Sequence, residues 1–445
     1  MSVPKQGRQA RVLAALLAFP VVATPVAAHS ATSPSPPREQ PVEAERSVFG
    51  QVALGSLLDP ALGEMQATEG RLSANGRILA FSATSPSWTP SQLYVRDLIT
   101  GSPTELVSVG MDGAPANLPV LPSSVSRDGR FVAFVSAASN LVPGDTNDAL
   151  DVFVRDRTLG ETQRVSVGSN GQQGTTPSTG GLLSADGTRV AFMSDSSNLV
   201  PRDTNRKRDV FVRNLVAGVT RRVSVATGGS QSVWRSVLSS ISADGRHVAF
   251  TANGAELTDR DAPHRQVLYV HHLRSGRTEK ASVDRRGGLP NRRSFGGALS
   301  ATGRFVAFMS SASDLVKGDS NGSTDVFVSD LKHDRTEVIS VRPNGRTVKN
   351  RTSLLPPDGS ISDDGRFSVF VASGHLVPGQ RSGGFLRDRR KDKTFRVPTR
   401  ADLNWARVTN LRVAGTARRV LFMTAQSLVD ADTDIMDDLY TVPFR

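Results

Sequence analysis

The sequence predicts an all-β fold, a β-propeller of seven four-stranded blades closed by an N-terminal strand. Two recurring phrases and their spacing carry that prediction. The first, Ser-x-Asp-Gly-Arg-x-Val-Ala-Phe in its fullest form, returns about every 58 residues. The second, Asp-Val-Phe-Val-Arg-Asp, follows each copy in full or weakened form.

Residues 1–28 have the parts of an export signal. Lys5, Arg8 and Arg11 precede an apolar run from Val12 to Val22 broken only by Pro20, and Val26 and Ala28 put small residues where cleavage needs them. The run is too short to span a bilayer, and no other long apolar stretch follows. The expected location is therefore secreted, periplasmic or cell-envelope, with no membrane span after cleavage. There is no cysteine, which excludes a lipoprotein anchor, a disulfide framework and a thiol nucleophile. Residues 29–45, rich in Pro, Ser and Glu, read as a flexible linker. Residues 46–445 are the propeller.

Copies of the first phrase begin at Ser73, Ser126, Ser184, Ser242, Ser300 and Ser362, with a decayed seventh from Val413 to Phe422. Asn-Gly and Asp-Gly prefer the positive φ of a two-residue hairpin turn. The Val-Ala-Phe that follows reads as a short buried strand. The phrase is thus the end of one strand, a tight turn and the next strand. The second phrase, at 151–156, 209–214 and 325–330 and weaker at 93–97, 268–272 and 385–388, is a third strand. A turn marked by Gly101, Gly160, Gly218, Gly276, Asp334 or Asp392 ends it, and a fourth strand follows, as at 162–167 and 220–225. Four antiparallel strands in about 58 residues make one propeller blade. A helical solenoid would need a 3.6-residue period, which is absent. The seventh copy stops after its third strand, so the β-prone segment 46–49 is expected to supply the fourth and remove an exposed edge. The Phe residues recur at matched places and are expected in the core.

The two phrases together resemble the WD-like repeat of TolB-type β-propellers over residues 46–445. The resemblance implies an exported propeller acting in protein–protein contact; in the Tol system such a propeller sits in the periplasm and contacts envelope partners. Only a short tether precedes the repeats, with no counterpart to the N-terminal α/β domain of TolB itself.

One loop offers candidate chemistry. Between the second and third strands of the second repeat lie Asp145, Asn147 and Asp151. The pattern returns as Asp203, Asn205 and Asp209, as Asp319, Asn321 and Asp325, and as Asp432, Asp434 and Asp438. Several oxygens on one loop suit a hard cation, which makes calcium the candidate cofactor. The same residue types also form Asx-turns that cap loop backbone, and the remaining ligands of an EF-hand are missing.

Motifs for catalysis are not found in working context: there is no His-Glu-x-x-His, and Gly318-Asp-Ser-Asn-Gly322 matches Gly-x-Ser-x-Gly in letters only, since it opens onto a strand and not onto the helix of a nucleophile elbow. No catalytic residue is assigned and an enzyme is not expected; the alternative is a secreted hydrolase or lyase with its site in the central channel. His271-His272 replaces Arg-Asp at a strand end and reads as a surface substitution. The formal charge is +12, with arginine far in excess of lysine. Basic clusters occur at Arg202, Arg206, Lys207 and Arg208, at Arg285, Arg286, Arg292 and Arg293, and at Arg387, Arg389, Arg390, Lys391 and Lys393. They lie in loops without stacking aromatics, which disfavours nucleic acid and leaves a solvated rim or contact with an anionic polymer. The expected function is an exported, monomeric binding or scaffold module for a protein or anionic cell-wall polymer of the envelope or extracellular space.

Overall fold

The computed structural model describes residues 51, 53–54, 66–84, 90–100, 102–253, 257–258, 265–342, 347, 353–354, 359–373, 376, 382–398, 408–416, 418–424, 428 and 438–445. The leader, the linker and segment 46–49 lie outside them. Among the described residues every regular element is a strand.

Each repeat becomes one four-stranded antiparallel sheet with its strands in chain order, and there are seven such sheets. We number them as blades 1 to 7 by the repeats that contain Ser73 through Val413. Blade 2 shows the plan: Val120–Val125, Phe131–Ser136, Asp151–Asp156 and Glu161–Arg164. The first strands line the central channel. In blade 7 the outer place is taken by Ala53–Leu54, which pairs antiparallel with Asp438–Pro443 through Ala53↔Thr441 and Leu54↔Tyr440. An N-terminal strand therefore closes the ring, but slightly later in the chain than segment 46–49.

The repeated turn is wider than the two-residue hairpin that Asp-Gly suggests. In blade 2 the Ser126 amide donates to the Phe131 carbonyl at 2.9 Å and the Gly129 amide to the Ser126 carbonyl at 3.1 Å, so four residues form the loop. Gly129 takes a positive φ of 80° while Asp128 does not. The Asp128 carboxylate instead accepts bonds from Ser126 Oγ at 2.7 Å and the Arg130 amide at 3.0 Å. Aspartate is thus wanted for its side chain, which satisfies loop donors. The glycine has a second reason. At Gly187, with φ of 70°, a Cβ would run into the Phe131 ring of the preceding blade.

The residues just after the turn serine join the blades. Arg127 donates its amide to Ala185, Ala185 to Ala243, Asp244 to Ala301, Ala301 to Asp363, Asp363 to Gly415 and Thr416 to Ala74. These bonds run around the channel from blade 2 through blade 7 to blade 1.

The core repeats too. The last Phe of the first phrase pairs directly across strands with the aromatic of the second, as in Phe134↔Phe153 and Phe192↔Phe211. Ring centroids in these two pairs lie 5.6 and 5.5 Å apart, and both pairs are fully buried. Burying one such side chain contributes about 1.5–3 kcal/mol. The arginine of the first phrase closes on the final aspartate of the second: Arg130–Asp156, Arg304–Asp330 and Arg366–Asp388, each at 2.6 Å. In blade 3, where Thr188 replaces the arginine, Asn214 replaces the aspartate. Part of the arginine excess is therefore structural.

Candidate functional site

Why the acidic loops persist follows from the strand they face. In blade 2 the fourth strand leaves the ladder at Val165, earlier than the pattern suggests, because Ser166 takes over two bonds. Its hydroxyl accepts from the Val152 amide at 3.1 Å and donates to Asp151 Oδ1. Asp151 Oδ2 accepts from Asn147 Nδ2 at 2.9 Å. The structure thus brings Asp145, Asn147 and Asp151 together, but with a fourth residue among them. Arg164, from the end of the fourth strand, sets its guanidinium 3.0 Å from Asp145 and 3.6 Å from Asp151. It also donates to Gln173 Oε1 at 2.7 Å and to the Gly144 carbonyl at 3.2 Å. Blade 3 repeats this. Asn205 bonds Asp209 at 2.9 Å, Ser224 bonds it at 2.5 Å, and Arg222 lies 2.9 Å from Asp203 and 3.4 Å from Asp209. The positive charge in these two loops is an arginine of the chain. Burial pushes the Asp145 carboxyl up to about 6, with Asp151 adding to the effect and Arg164 opposing it. Asp203 shifts upward for the same first reason.

Blade 5 keeps the loop and loses the arginine. Asn321 Nδ2 and Ser340 Oγ each bond Asp325 at 2.6 Å. Val338 stands opposite Phe327, where Arg164 stands opposite Phe153 and Arg222 opposite Phe211. Burial, with Asp319 adding to it, pushes Asp325 up to about 6. In blade 7, Asp438 opens the third strand, while Asp432 and Asp434 lie outside the described residues. Among the described residues no three His, Cys, Asp or Glu side chains gather as a metal site. The signal that separates these loops was present in the sequence, in the third residue of each Thr-x-x-Val/Ile-Ser-Val stretch, and reasoning from the acidic residues alone passed over it.

The channel holds a cavity of about 150 Å³ lined largely by small and apolar groups such as Val125, Leu183, Ile241, Ala298 and Val413. Its charged members are engaged. Arg127 of blade 2 pairs with Asp363 of blade 6 at 2.8 Å, and Arg71 donates to the Ser123 carbonyl at 2.9 Å. A second cavity, about 470 Å³, opens where the loops of blades 4 and 5 meet and is lined by Arg265, Arg292, Arg293 and Ser311. Arg292 and Arg293 are exposed, and neither has an ion-pair partner among the described residues. The third basic cluster is different. Arg387 is buried and bonds Thr394, while Arg389 reaches Glu337 of blade 5 at 2.6 Å.

His271 is not the surface substitution that its replacement of arginine suggested, since it is 6 % exposed. Strand alternation turns it inward, into the place held in other blades by Arg155, Arg213 and Arg387, each bonded to the matching threonine. Thr278 Oγ1 donates to the Val225 carbonyl at 2.5 Å, so it accepts from His271 Nδ1–H at 2.8 Å. Burial, helped by His272, depresses His271 to about 4. A histidine held neutral stabilises the fold above its unfolded pKa, and that stability is lost as pH falls toward the folded value. Lowering pH from 7 to 5 should cost about 2 kcal/mol through this group. Thermal melting of His271→Arg should show a smaller loss over that interval than the parent; equal losses would remove His271 as the cause.

No family model matches the chain, and no curated protein matches it by sequence. Solved structures do. The β-propeller domain of the Trilobed protease from Pyrococcus furiosus, described as having an open velcro topology, is 10% identical and matches with a TM-score of 0.52 over 85% of this chain and 93% of its own. The chain is a β-propeller. An oligogalacturonate lyase in complex with manganese matches the propeller at 12% identity and a TM-score of 0.50 over 89% of this chain and 97% of its own. TolB from Acinetobacter baumannii matches at 14% identity and a TM-score of 0.39 over 72% of this chain. The propeller spans 63% of that TolB chain. What the Trilobed protease domain and the lyase share with this chain is the fold. No helix among the described residues is long and apolar enough to cross a membrane.

Proposed function

We propose that this protein is an exported binding module that holds an anionic partner, an acidic protein segment or a wall polymer, on the loop face of its blades. The observation that carries the reading is the 470 Å³ cavity formed by Arg265, Arg292 and Arg293. Its volume falls in the range of ligand sites, about 300–1,000 Å³, whereas the 150 Å³ of the channel falls below it. The cavity is also held in shape. Arg265 donates to the Pro290 carbonyl at 2.7 Å, and the Arg293 carbonyl accepts from Ser310 Oγ at 3.1 Å and the Ser311 amide at 3.2 Å. Guanidinium groups on a braced loop suit carboxylate and phosphate groups. Export rests on the leader at residues 1–28.

Retention of the chain on immobilised poly-glutamate and polyphosphate tests this reading. Retention should fall steeply with rising salt, and the double variant Arg292→Gln, Arg293→Gln should elute much earlier. Equal retention of parent and variant would overturn the reading.

A further inference from the structure

Blades 2 and 3 display what the acidic loop is shaped to surround. In each, one guanidinium faces two carboxylates, a glutamine oxygen and a backbone carbonyl. That is an all-oxygen cradle around a positive charge. Blade 5 builds the same cradle. The residue before its first aspartate and the residue after its asparagine are left-handed, Gly318 at φ 85° and Gly322 at 68°. They match Gly144 and Asp148 at 68° and 51°, and Arg202 and Arg206 at 58° and 52°. Thr347 pairs with Val341 as Gln173 pairs with Val167 and Gln231 with Val225.

What blade 5 lacks among the described residues is the cation. Val338 replaces the arginine. Asp319 is 7 % exposed, its Oδ1 has no hydrogen-bond partner, and among the described residues no cation pairs with it, where Asp145 and Asp203 each have a guanidinium nitrogen within 3.0 Å. Two buried carboxylates facing one space need a compensating charge.

We propose that a hard divalent cation of the calcium class occupies the blade 5 cradle in place of the guanidinium, held by Asp319 and Asp325. Gly318 and Thr347 hold the chain positions of Gly144 and Gln173, so the Gly318 carbonyl and the Thr347 hydroxyl would supply the further oxygens. A donor set of oxygens alone selects calcium over metals that prefer nitrogen or sulfur. Two carboxylates balance a dication, and the variable coordination geometry of calcium suits a protein loop better than the strict octahedron of magnesium. The cation is structural, fixing this loop as arginine fixes its counterparts, and the proposal is independent of the anionic partner.

Calorimetric titration of calcium chloride into the chelator-treated full chain tests it. The parent should bind calcium, and both Asp319→Asn and Val338→Arg should bind one equivalent fewer. Val338→Arg supplies the charge that blades 2 and 3 already use, so its loss of calcium reports the site and not a failure to fold. Absence of calcium binding by the parent, or unchanged stoichiometry in Val338→Arg, would overturn the proposal.

Discussion

Replacing Arg222 by valine should destabilise the chain by about 3–5 kcal/mol in the presence of a chelator, the usual cost of leaving a buried charge without its partner. The side chains of Asp203 and Asp209 are 2% and 0% exposed, and Arg222 is the ion-pair partner of both. Without it the two carboxylates face each other with only Asn205 and Ser224 as donors near Asp209. The variant also gives blade 3 the Val that blade 5 carries naturally at Val338. Added calcium should therefore recover a large part of the loss in Arg222→Val, and urea unfolding with chelator and with calcium measures both effects. A variant as stable as the parent in chelator would show that the guanidinium does not compensate these carboxylates.

Phe211→Ala should cost about 3–5 kcal/mol by the same measurement, and calcium should not recover it. Phe211 is fully buried, stacked on Phe192 at 5.5 Å, and opposite Arg222 in the ladder. The loss has two parts: the apolar area returned to water in the unfolded reference, and a cavity that a closely hydrogen-bonded sheet cannot collapse to fill. Both variants alter the same blade at neighbouring positions, so the difference in their calcium response separates charge compensation from packing. A loss below 1 kcal/mol in Phe211→Ala would mean that the blade repacks around the gap.

These expectations also show which level of the molecule holds each feature. The strands, the places of the turns and the blade number could be read from the chain because each repeat encodes them locally, while the width of the turn could not. Val-Ala-Phe and Asp-Val-Phe-Val are short apolar runs buried on both faces of single strands, and Ser-x-Asp-Gly satisfies its own loop through Ser126, Asp128 and the left-handed Gly129. The need for a fourth strand in blade 7 was legible for the same reason, since a lone edge is unfavourable in any sheet. Its identity as Ala53–Leu54 depended on pairing across the whole length of the propeller.

The acidic loops divide differently. Their aspartates and asparagines announced a place for a cation, because oxygen-rich loops have that chemistry wherever they occur. Whether an arginine fills the loop was decided only when strand pairing brought a residue 19 positions after the first aspartate back onto it: Arg164 onto Asp145 and Arg222 onto Asp203, with Val338 at the same position in blade 5. His271 follows the same rule, since strand pairing sets it against Thr278, which in turn bonds Val225 of the preceding blade. Local sequence determines the oxygens and the turns. The register between strands decides which charges meet, because an ion pair exists only where two separate strands place their side chains within a few ångströms.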